Sequence, residues 1–85
     1  MFWVYILYYV PLDKFYIGYS EDPYNRLSQH NEGINRSTRF GAPFWKLVYT
    51  EPFLTRMDAM KREKAIKARK SKSFIQSLVR SSKLK

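Results

Sequence analysis

The chain has 85 residues, enough for one hydrophobic core and too few for two, so we expect residues 1–85 to form one domain. Apolar residues make up 45% and aromatic residues 18% of the chain, which is typical of a folded protein. The absence of cysteine excludes disulfide-linked partners and thiolate metal sites, and it is consistent with a cytoplasmic protein. The apolar start is only about half the length of a membrane span, so we expect a buried strand and no membrane partner.

The net charge of +9 is concentrated at one end of the chain. Residues 1–60 carry six basic and six acidic side chains, whereas residues 61–85 carry ten basic side chains against Glu63 alone. Such an uneven field favours a polyanionic partner, with nucleic acid ahead of an anionic membrane surface. The other interpretation is a solvated segment that keeps the protein soluble. The side chains expected to bind nucleic acid are Lys61, Lys64, Lys67, Lys70 and Lys72.

The first half of the chain predicts a hairpin followed by a helix. Residues 2–9 and 15–19 are rich in aromatic and β-branched side chains, and the turn residues Pro11 and Asp13 lie between them. Asp22 before Pro23 matches an N-cap followed by proline at the first helical position, and the helix should run to about residue 32. Residues 34–43 are polar and predict a loop.

The second half predicts a strand and two helices. Residues 44–51 alternate between apolar and polar side chains, which indicates a third strand. Thr55 and Asp58 have capping-box spacing, so a helix should begin there and run to about residue 67. Another helix should follow Ser71 or Ser73. The order β-β-α-β-α-α predicts an α+β fold, in which helices flank a three-stranded, largely antiparallel sheet and a basic helical segment begins near residue 61.

Five residues form a candidate site, although each also has an ordinary structural interpretation. Two are tyrosines on the strands of the hairpin, two share a face of the first helix, and one is an acid on the expected buried face of the second helix. Strand tyrosines are usually core residues, and an acid four residues before Lys67 can form a simple ion pair. The five residues are Tyr5, Tyr16, Arg26, His30 and Glu63.

Together these positions resemble the GIY-YIG nuclease superfamily, and most closely its small single-domain branch. The second signature, YIG, is intact at residues 16–18, whereas the first reads WVY at residues 3–5. The run RMDAMKREKAIK, the HNEG stretch at residues 30–33 and the ST pair at residues 37–38 also resemble this branch. The likeness covers almost the whole chain. It implies that the five residues of the candidate site are catalytic.

The resemblance also implies a division of roles in phosphodiester hydrolysis. Glu63 would hold one Mg²⁺ or Mn²⁺ ion, and Arg26 would stabilise charge on the phosphoryl oxygens. Tyr5 would be the general base if a nearby cation lowers its pKa, but His30 suits the same task, and the choice between them stays open. Gly18 would keep the strand end clear for the phosphate.

One departure from the family pattern bears on function. Family members often carry an asparagine on the last helical segment, whereas this chain has none after Asn35, so either Ser73, Gln76 or Ser77 replaces it or the role is absent and catalysis is less efficient. We therefore expect a divalent-metal-dependent endonuclease acting on DNA or structured nucleic acid, with a non-catalytic nucleic-acid-binding module as the alternative. A basic domain that docks an acidic protein is a third, weaker interpretation.

Overall fold

The computed structural model describes residues 1–82, so residues 83–85 of the predicted basic segment lie outside the described residues. In chain order the strands and helices are β1 (Phe2–Tyr9), β2 (Lys14–Ser20), α1 (Pro23–Asn31), β3 (Lys46–Phe53), α2 (Arg56–Arg69) and α3 (Lys72–Ser81). Two short 3₁₀ turns, Val10–Leu12 and Arg39–Gly41, were not predicted. None of the helices in the described part is long and apolar enough to span a membrane.

The three strands form one antiparallel sheet in the order β2-β1-β3, with β1 in the centre. In the β1–β2 hairpin, Tyr5 lies opposite Gly18 and Leu7 lies opposite Tyr16. The pairing of β1 with β3 is regular except for a shift in register after Ile6. The predicted α+β fold with element order β-β-α-β-α-α is confirmed.

The alternation of side chains along β1 places two clusters on opposite faces of the sheet. Val4 and Ile6 belong to the larger cluster, which is covered by α2 through Ala59 and Ile66 and by apolar residues of α3. The smaller cluster faces α1 and contains Tyr5, Leu7 and Trp45, with partly buried Tyr9, Tyr16, Leu27 and Leu47 around it. The two candidate tyrosines therefore lie on the α1 face, and β2 is the strand at the edge nearest to them.

The ends of the helices follow the predicted caps closely. The Asp22 carboxylate accepts a hydrogen bond from the Asn25 amide, and the Thr55 hydroxyl accepts one from the Asp58 amide. For α3, the cap is Ser71, whose hydroxyl accepts from the amide of Phe74 at 3.2 Å. The helix α2 continues to Arg69, two residues beyond the predicted end, and stops at Lys70, which has left-handed backbone angles.

The third strand begins two residues later than predicted, because the side chain of Asn31 hydrogen-bonds both the N–H and the C=O of Trp45. The Trp45 amide donates to Asn31 Oδ1 at 2.8 Å, and Asn31 Nδ2 donates to the Trp45 carbonyl at 3.0 Å. These two bonds keep residue 45 out of the ladder and tie the loop to the end of α1. At its other end, β3 continues through Pro52, which an edge strand tolerates.

Candidate active site

The hairpin brings Tyr5 and Tyr16 together on the α1 face of the sheet, with their ring centroids 6.3 Å apart. Gly18, directly across from Tyr5, leaves room for the phenol: a Cβ at this position would lie 2.6 Å from Tyr5 Oη and 2.7 Å from Cζ. The group that covers Gly18 is therefore the Tyr5 ring. The role of the glycine is to admit that ring, rather than to keep the strand end clear for phosphate.

A chain of hydrogen bonds joins Tyr5 to α1 and to the loop that follows it. Tyr5 Oη lies 3.2 Å from His30 Nε2, and His30 Nδ1 lies 2.6 Å from Thr38 Oγ1. All three side chains are interior: Tyr5 is 1% exposed, His30 0% and Thr38 1%. Tyr16 flanks this chain, with its ring centroid 4.6 Å from that of His30.

Arg26 lies one helical turn before His30 and is half-buried at the edge of the same cluster. Its Nη1 donates to Gln29 Oε1 at 2.5 Å, and its positive charge acts on the Tyr5 phenol, where it favours a lower pKa. Arg26 is thus the cation expected beside Tyr5. Since it also has unpaired N–H groups in a planar fork, it can bind a phosphoryl oxygen.

Burial decides the protonation states of Tyr5 and His30. Desolvation raises the pKa of Tyr5, and the nearby guanidinium of Arg26 opposes that rise only in part. The expected lowering of the Tyr5 pKa by a nearby cation is therefore outweighed. Burial and the positive charge of Arg26 both lower the pKa of His30, so its imidazole is neutral at pH 7. The site thus contains a neutral phenol bonded to a neutral imidazole.

Glu63 approaches this site from α2, past the free edge of β2. Its side chain is only 14% exposed, as the helical period predicts, and its negative charge contributes to the raised pKa of Tyr5. Its Oε2 lies 3.6 Å from Lys67 Nζ, and the same ammonium lies 6.0 Å from the centroid of the Tyr16 ring. Glu63 therefore lies near the candidate site. It also forms the ion pair with Lys67 that an ordinary structural role predicts.

The donor set near Glu63 suits a magnesium-like ion held largely by substrate and water. Within residues 1–82, no three histidine, aspartate or glutamate side chains gather into a ready-made metal site. Mg²⁺ is commonly held by one or two carboxylates, with waters and substrate phosphates as the other ligands. Among the described residues, Glu63 could offer such an ion one shielded carboxylate once its ion pair with Lys67 at 3.6 Å is broken, which fits an ion held mainly by substrate and water.

The predicted nucleic-acid-binding lysines are all exposed, but they do not all lie at the same place on the surface. Lys67, Lys70 and Lys72 line a groove of about 370 Å³ between β2 and the α2–α3 junction, and Lys14 joins them there. Lys72 is already paired with Asp13 at 2.5 Å. Lys61 and Lys64 lie outside this groove, on earlier turns of α2.

The three residues expected to replace the missing asparagine lie apart from the tyrosines. Ser77 Oγ donates to the Phe74 carbonyl, and Ser73 Oγ lies 3.1 Å from Ser71 Oγ at the start of α3. Gln76 lines a different groove, beside Tyr8 and the hairpin turn. The structure therefore supports none of them as a partner of Glu63.

Sequence reasoning did not give roles to Gln29 or Lys14, and for Thr38 it expected only a place in the lining of the cleft or in a turn. Gln29 holds the guanidinium of Arg26, and its spacing of three residues from Arg26 was the available signal. Lys14 was visible only as an isolated charge. Thr38 belongs to the ST pair of the sequence, but its contact with His30 depends on how the loop folds back over α1.

A strand hairpin with two apposed tyrosines, followed by a helix that supplies an arginine and a histidine, defines a GIY-YIG fold and site. The family model of the GIY-YIG catalytic domain matches residues 1–76. The chain therefore belongs to this family, which is a family of nucleases.

Two curated relatives from Pseudomonas aeruginosa are also similar to this chain. Both are UPF0213 proteins, from strains UCBPP-PA14 and PAO1, and each is 40% identical to it over 53 residues. The matched segment is 62% of this chain and 51% of each relative, so the chain spans about half the length of these relatives. The comparison with solved structures found no match.

Proposed function

We propose that this chain is a divalent-metal-dependent endonuclease that hydrolyses phosphodiester bonds in DNA or structured nucleic acid. The observation that carries the proposal is the buried Tyr5–His30 hydrogen bond beside Arg26. A hydrogen-bonded phenol and imidazole next to a guanidinium combine two proton carriers with an anion-binding group. Phosphodiester hydrolysis by water needs both functions.

Arg26 and Tyr16 make the first contacts with the scissile phosphate, because both are half-buried at the rim of the site. Arg26 exchanges its bond to Gln29 for bonds to phosphoryl oxygens and stabilises the charge that grows on them. Tyr16 donates a hydrogen bond that orients the phosphate or the attacking water.

Tyr5 and His30 act in series, which removes the need to choose one of them as the base. The attacking water forms its bond to phosphorus and gives a proton to Tyr5 Oη, while Tyr5 passes its own proton to His30 Nε2 and the bond to the leaving oxygen breaks. Because the phenol gains a proton as it loses one, its raised pKa is no obstacle. The neutral imidazole is the final acceptor.

Glu63 is the residue that would hold Mg²⁺ or Mn²⁺, and the bound ion would neutralise charge on the leaving oxygen. Lys67 must release the Glu63 carboxylate for this to happen, and the phosphate backbone is the natural new partner of that ammonium. Lys14 and Lys70 line the same groove as Lys67 and would extend the contact with the bound strand. Lys61, Lys64 and Lys72 add to the positive field along the segment.

A non-catalytic nucleic-acid-binding module is the second candidate. The Glu63–Lys67 ion pair favours it, because a carboxylate held by a lysine is not free for a metal ion. Such a module would keep the basic segment and the fold, and it would bind nucleic acid with a steep dependence on salt.

The test of the proposal is incubation of the chain with supercoiled plasmid, branched DNA and RNA, each with Mg²⁺, Mn²⁺ or EDTA. The proposal predicts cleavage of at least one substrate that stops with EDTA and is lost in Glu63→Gln, while the affinity of that variant for the substrate stays unchanged. Salt-dependent binding without cleavage in any divalent ion would establish the binding module instead.

A further inference from the structure

Thr38 is a buried hydroxyl residue that belongs neither to the two tyrosine signatures nor to the basic segment. It lies in the loop after α1, and its Oγ1 is 2.6 Å from His30 Nδ1. The same hydroxyl lies 3.4 Å from the carbonyl of Asn35, to which it can donate. Thr38 thus lies between a nitrogen that can be a donor or an acceptor and a carbonyl that can only accept.

The hydrogen-bond pattern at Thr38 determines which nitrogen of His30 carries the proton. A threonine hydroxyl has one hydrogen. When that hydrogen is donated to the Asn35 carbonyl, Thr38 Oγ1 must accept from His30, so Nδ1 carries the imidazole proton. In a neutral imidazole this leaves Nε2 without a proton, and therefore free to accept one.

The Tyr5 end of the hydrogen-bond chain independently indicates the same tautomer of His30. Tyr5 Oη also has one hydrogen, and the guanidinium of Arg26 cannot accept it because arginine has no hydrogen-bond acceptor. Because Tyr5 is 1% exposed, its hydrogen needs a partner within the protein, and His30 Nε2 lies 3.2 Å away. A proton on His30 Nε2 would leave the buried phenol hydrogen without an acceptor among these partners, at a cost of about 1–3 kcal/mol.

We propose that Thr38 is a positioning residue that holds His30 as its Nδ1–H tautomer, so that Nε2 can accept the proton of Tyr5. Its kinetic consequence rests on the proposed nuclease function, whereas the tautomer itself does not. Thr38 is held in place from the loop side as well. Trp45 Nε1 donates to the Thr38 carbonyl at 2.7 Å, and the indole is itself buried in the smaller core cluster.

The experiment uses the fact that this chain has one histidine. A long-range ¹⁵N–¹H spectrum of the imidazole distinguishes the protonated nitrogen from the bare one without any assignment problem. It is recorded at pH 7.5 for the full chain, for Thr38→Val, which keeps the shape and loses the hydroxyl, and for Thr38→Ser, which keeps the hydroxyl. Thermal unfolding of each variant shows that it is folded, and cleavage rates are measured in parallel on the substrate that the parent cleaves.

The proposal predicts the Nδ1–H tautomer in the parent and in Thr38→Ser, and a shift toward Nε2–H in Thr38→Val. It also predicts that Thr38→Val cleaves about 10- to 100-fold more slowly, by analogy with the range for partners that orient metal-ligating histidines through their second nitrogen, and that Thr38→Ser recovers most of the rate. An Nε2–H parent, or the same tautomer in all three proteins, would overturn it. If the tautomer depends on the hydroxyl in a chain that cleaves nothing, this inference holds and the proposed function fails.

Discussion

At the scale of single residues, the space above Gly18 links the hairpin to the chemistry. The Tyr5 ring fills that space, and its hydroxyl lies 3.2 Å from His30 Nε2. A glycine in the middle of a strand is unfavourable for the strand itself, so its presence here indicates a packing requirement. The position of the proposed proton carrier therefore depends on a missing side chain on the neighbouring strand.

Gly18→Ala should displace Tyr5 and reduce both stability and cleavage. The added Cβ would lie 2.6 Å from Tyr5 Oη, and overpacking of this kind typically costs about 1–3 kcal/mol. Urea unfolding measures the stability, and cleavage on a fixed substrate measures the second effect. The matched control is Gly33→Ala, which strains a backbone with φ of +78° but adds a Cβ that meets nothing closer than 3.6 Å. That control should lose stability and keep its cleavage rate, whereas equal rates in both variants would contradict the account of Gly18.

His30 should make folding stability dependent on pH just below neutrality. Burial lowers its pKa in the folded state below the ordinary value of 6.5, so the unfolded chain takes up a proton first as the pH falls. The stability that comes from the neutral imidazole is complete above pH 6.5 and is lost as the pH falls toward the folded-state pKa. The free energy of unfolding should fall by at most about 1.4 kcal/mol per pH unit as the pH drops from 6.5 toward the folded-state pKa.

The comparison that isolates this effect is His30→Gln, which cannot titrate. Urea unfolding of the two proteins at several pH values should give a sloping profile for the parent and a flat one for the variant over this window. Parallel profiles would mean that His30 does not change its protonation on folding.

At the scale of elements, the junction between α2 and α3 decides where the basic groove lies. Lys70 ends α2 in a left-handed conformation, and Ser71 caps α3 immediately afterwards. This abrupt turn brings Lys70 and Lys72 to the same groove as Lys67. The Lys72–Asp13 ion pair then joins the start of α3 to the hairpin turn.

Ser71→Ala should destabilise the protein by about 1 kcal/mol, because it removes the side-chain acceptor at the N-cap of α3. Ser73→Ala is the matched control, since Ser73 is exposed and lies inside the helix, and it should change the unfolding free energy by only a few tenths of a kcal/mol. Chemical unfolding of both variants makes the comparison. A larger effect at Ser73 would mean that Ser73, and not Ser71, is the N-cap of α3.

The elements themselves could be predicted from the sequence because each carries a local signal. Alternation along β1, the Asp22–Pro23 pair and the Thr55 cap depend on neighbours within four residues. The start of β3 could not be predicted, because it is set by Asn31, fourteen residues before Trp45. Local patterns do not contain such a contact.

The candidate site could likewise be predicted only where it depends on local sequence. Arg26 and His30 on one helix face, and Glu63 on the shielded face of α2, follow from the helical period. The order of the Tyr5–His30–Thr38 chain, and the rise in the pKa of Tyr5 despite Arg26, depend on burial and on loop geometry. These are long-range properties, so the sequence left Tyr5 and His30 as alternatives where the structure connects them.

At the scale of the whole molecule, the positive charge is concentrated in one segment of the chain. The first 60 residues are electrically balanced, and the positive field comes from the segment that begins at residue 61. Lys67 lines the basic groove and also lies 6.0 Å from the centroid of the Tyr16 ring, so it connects the groove with the candidate site.

Replacing Lys67 and Lys70 with glutamine should weaken nucleic-acid binding and flatten its salt dependence by about 0.9 log units per lost phosphate contact, or up to about 1.8 for both. The matched control replaces Arg36 and Lys46, which are exposed and lie outside the basic segment, and so removes the same total charge. Binding isotherms over a range of salt concentrations give the slopes. Equal slopes for the two double variants would show that net charge, and not the groove, controls binding.

Whether the whole molecule is a catalyst or a binding module depends most directly on the Tyr5 hydroxyl. The measurement is the single-turnover cleavage rate of Tyr5→Phe against the parent with Mg²⁺, with Tyr8→Phe as the control because Tyr8 bonds Asp13 away from the site. Removing a positioned proton carrier usually costs about 10²–10⁴ in rate. The account predicts a loss of that size in Tyr5→Phe, with substrate affinity kept and Tyr8→Phe cleaving like the parent. Parent-like cleavage by Tyr5→Phe would contradict it, because the Tyr5–His30–Thr38 chain would then be structural alone.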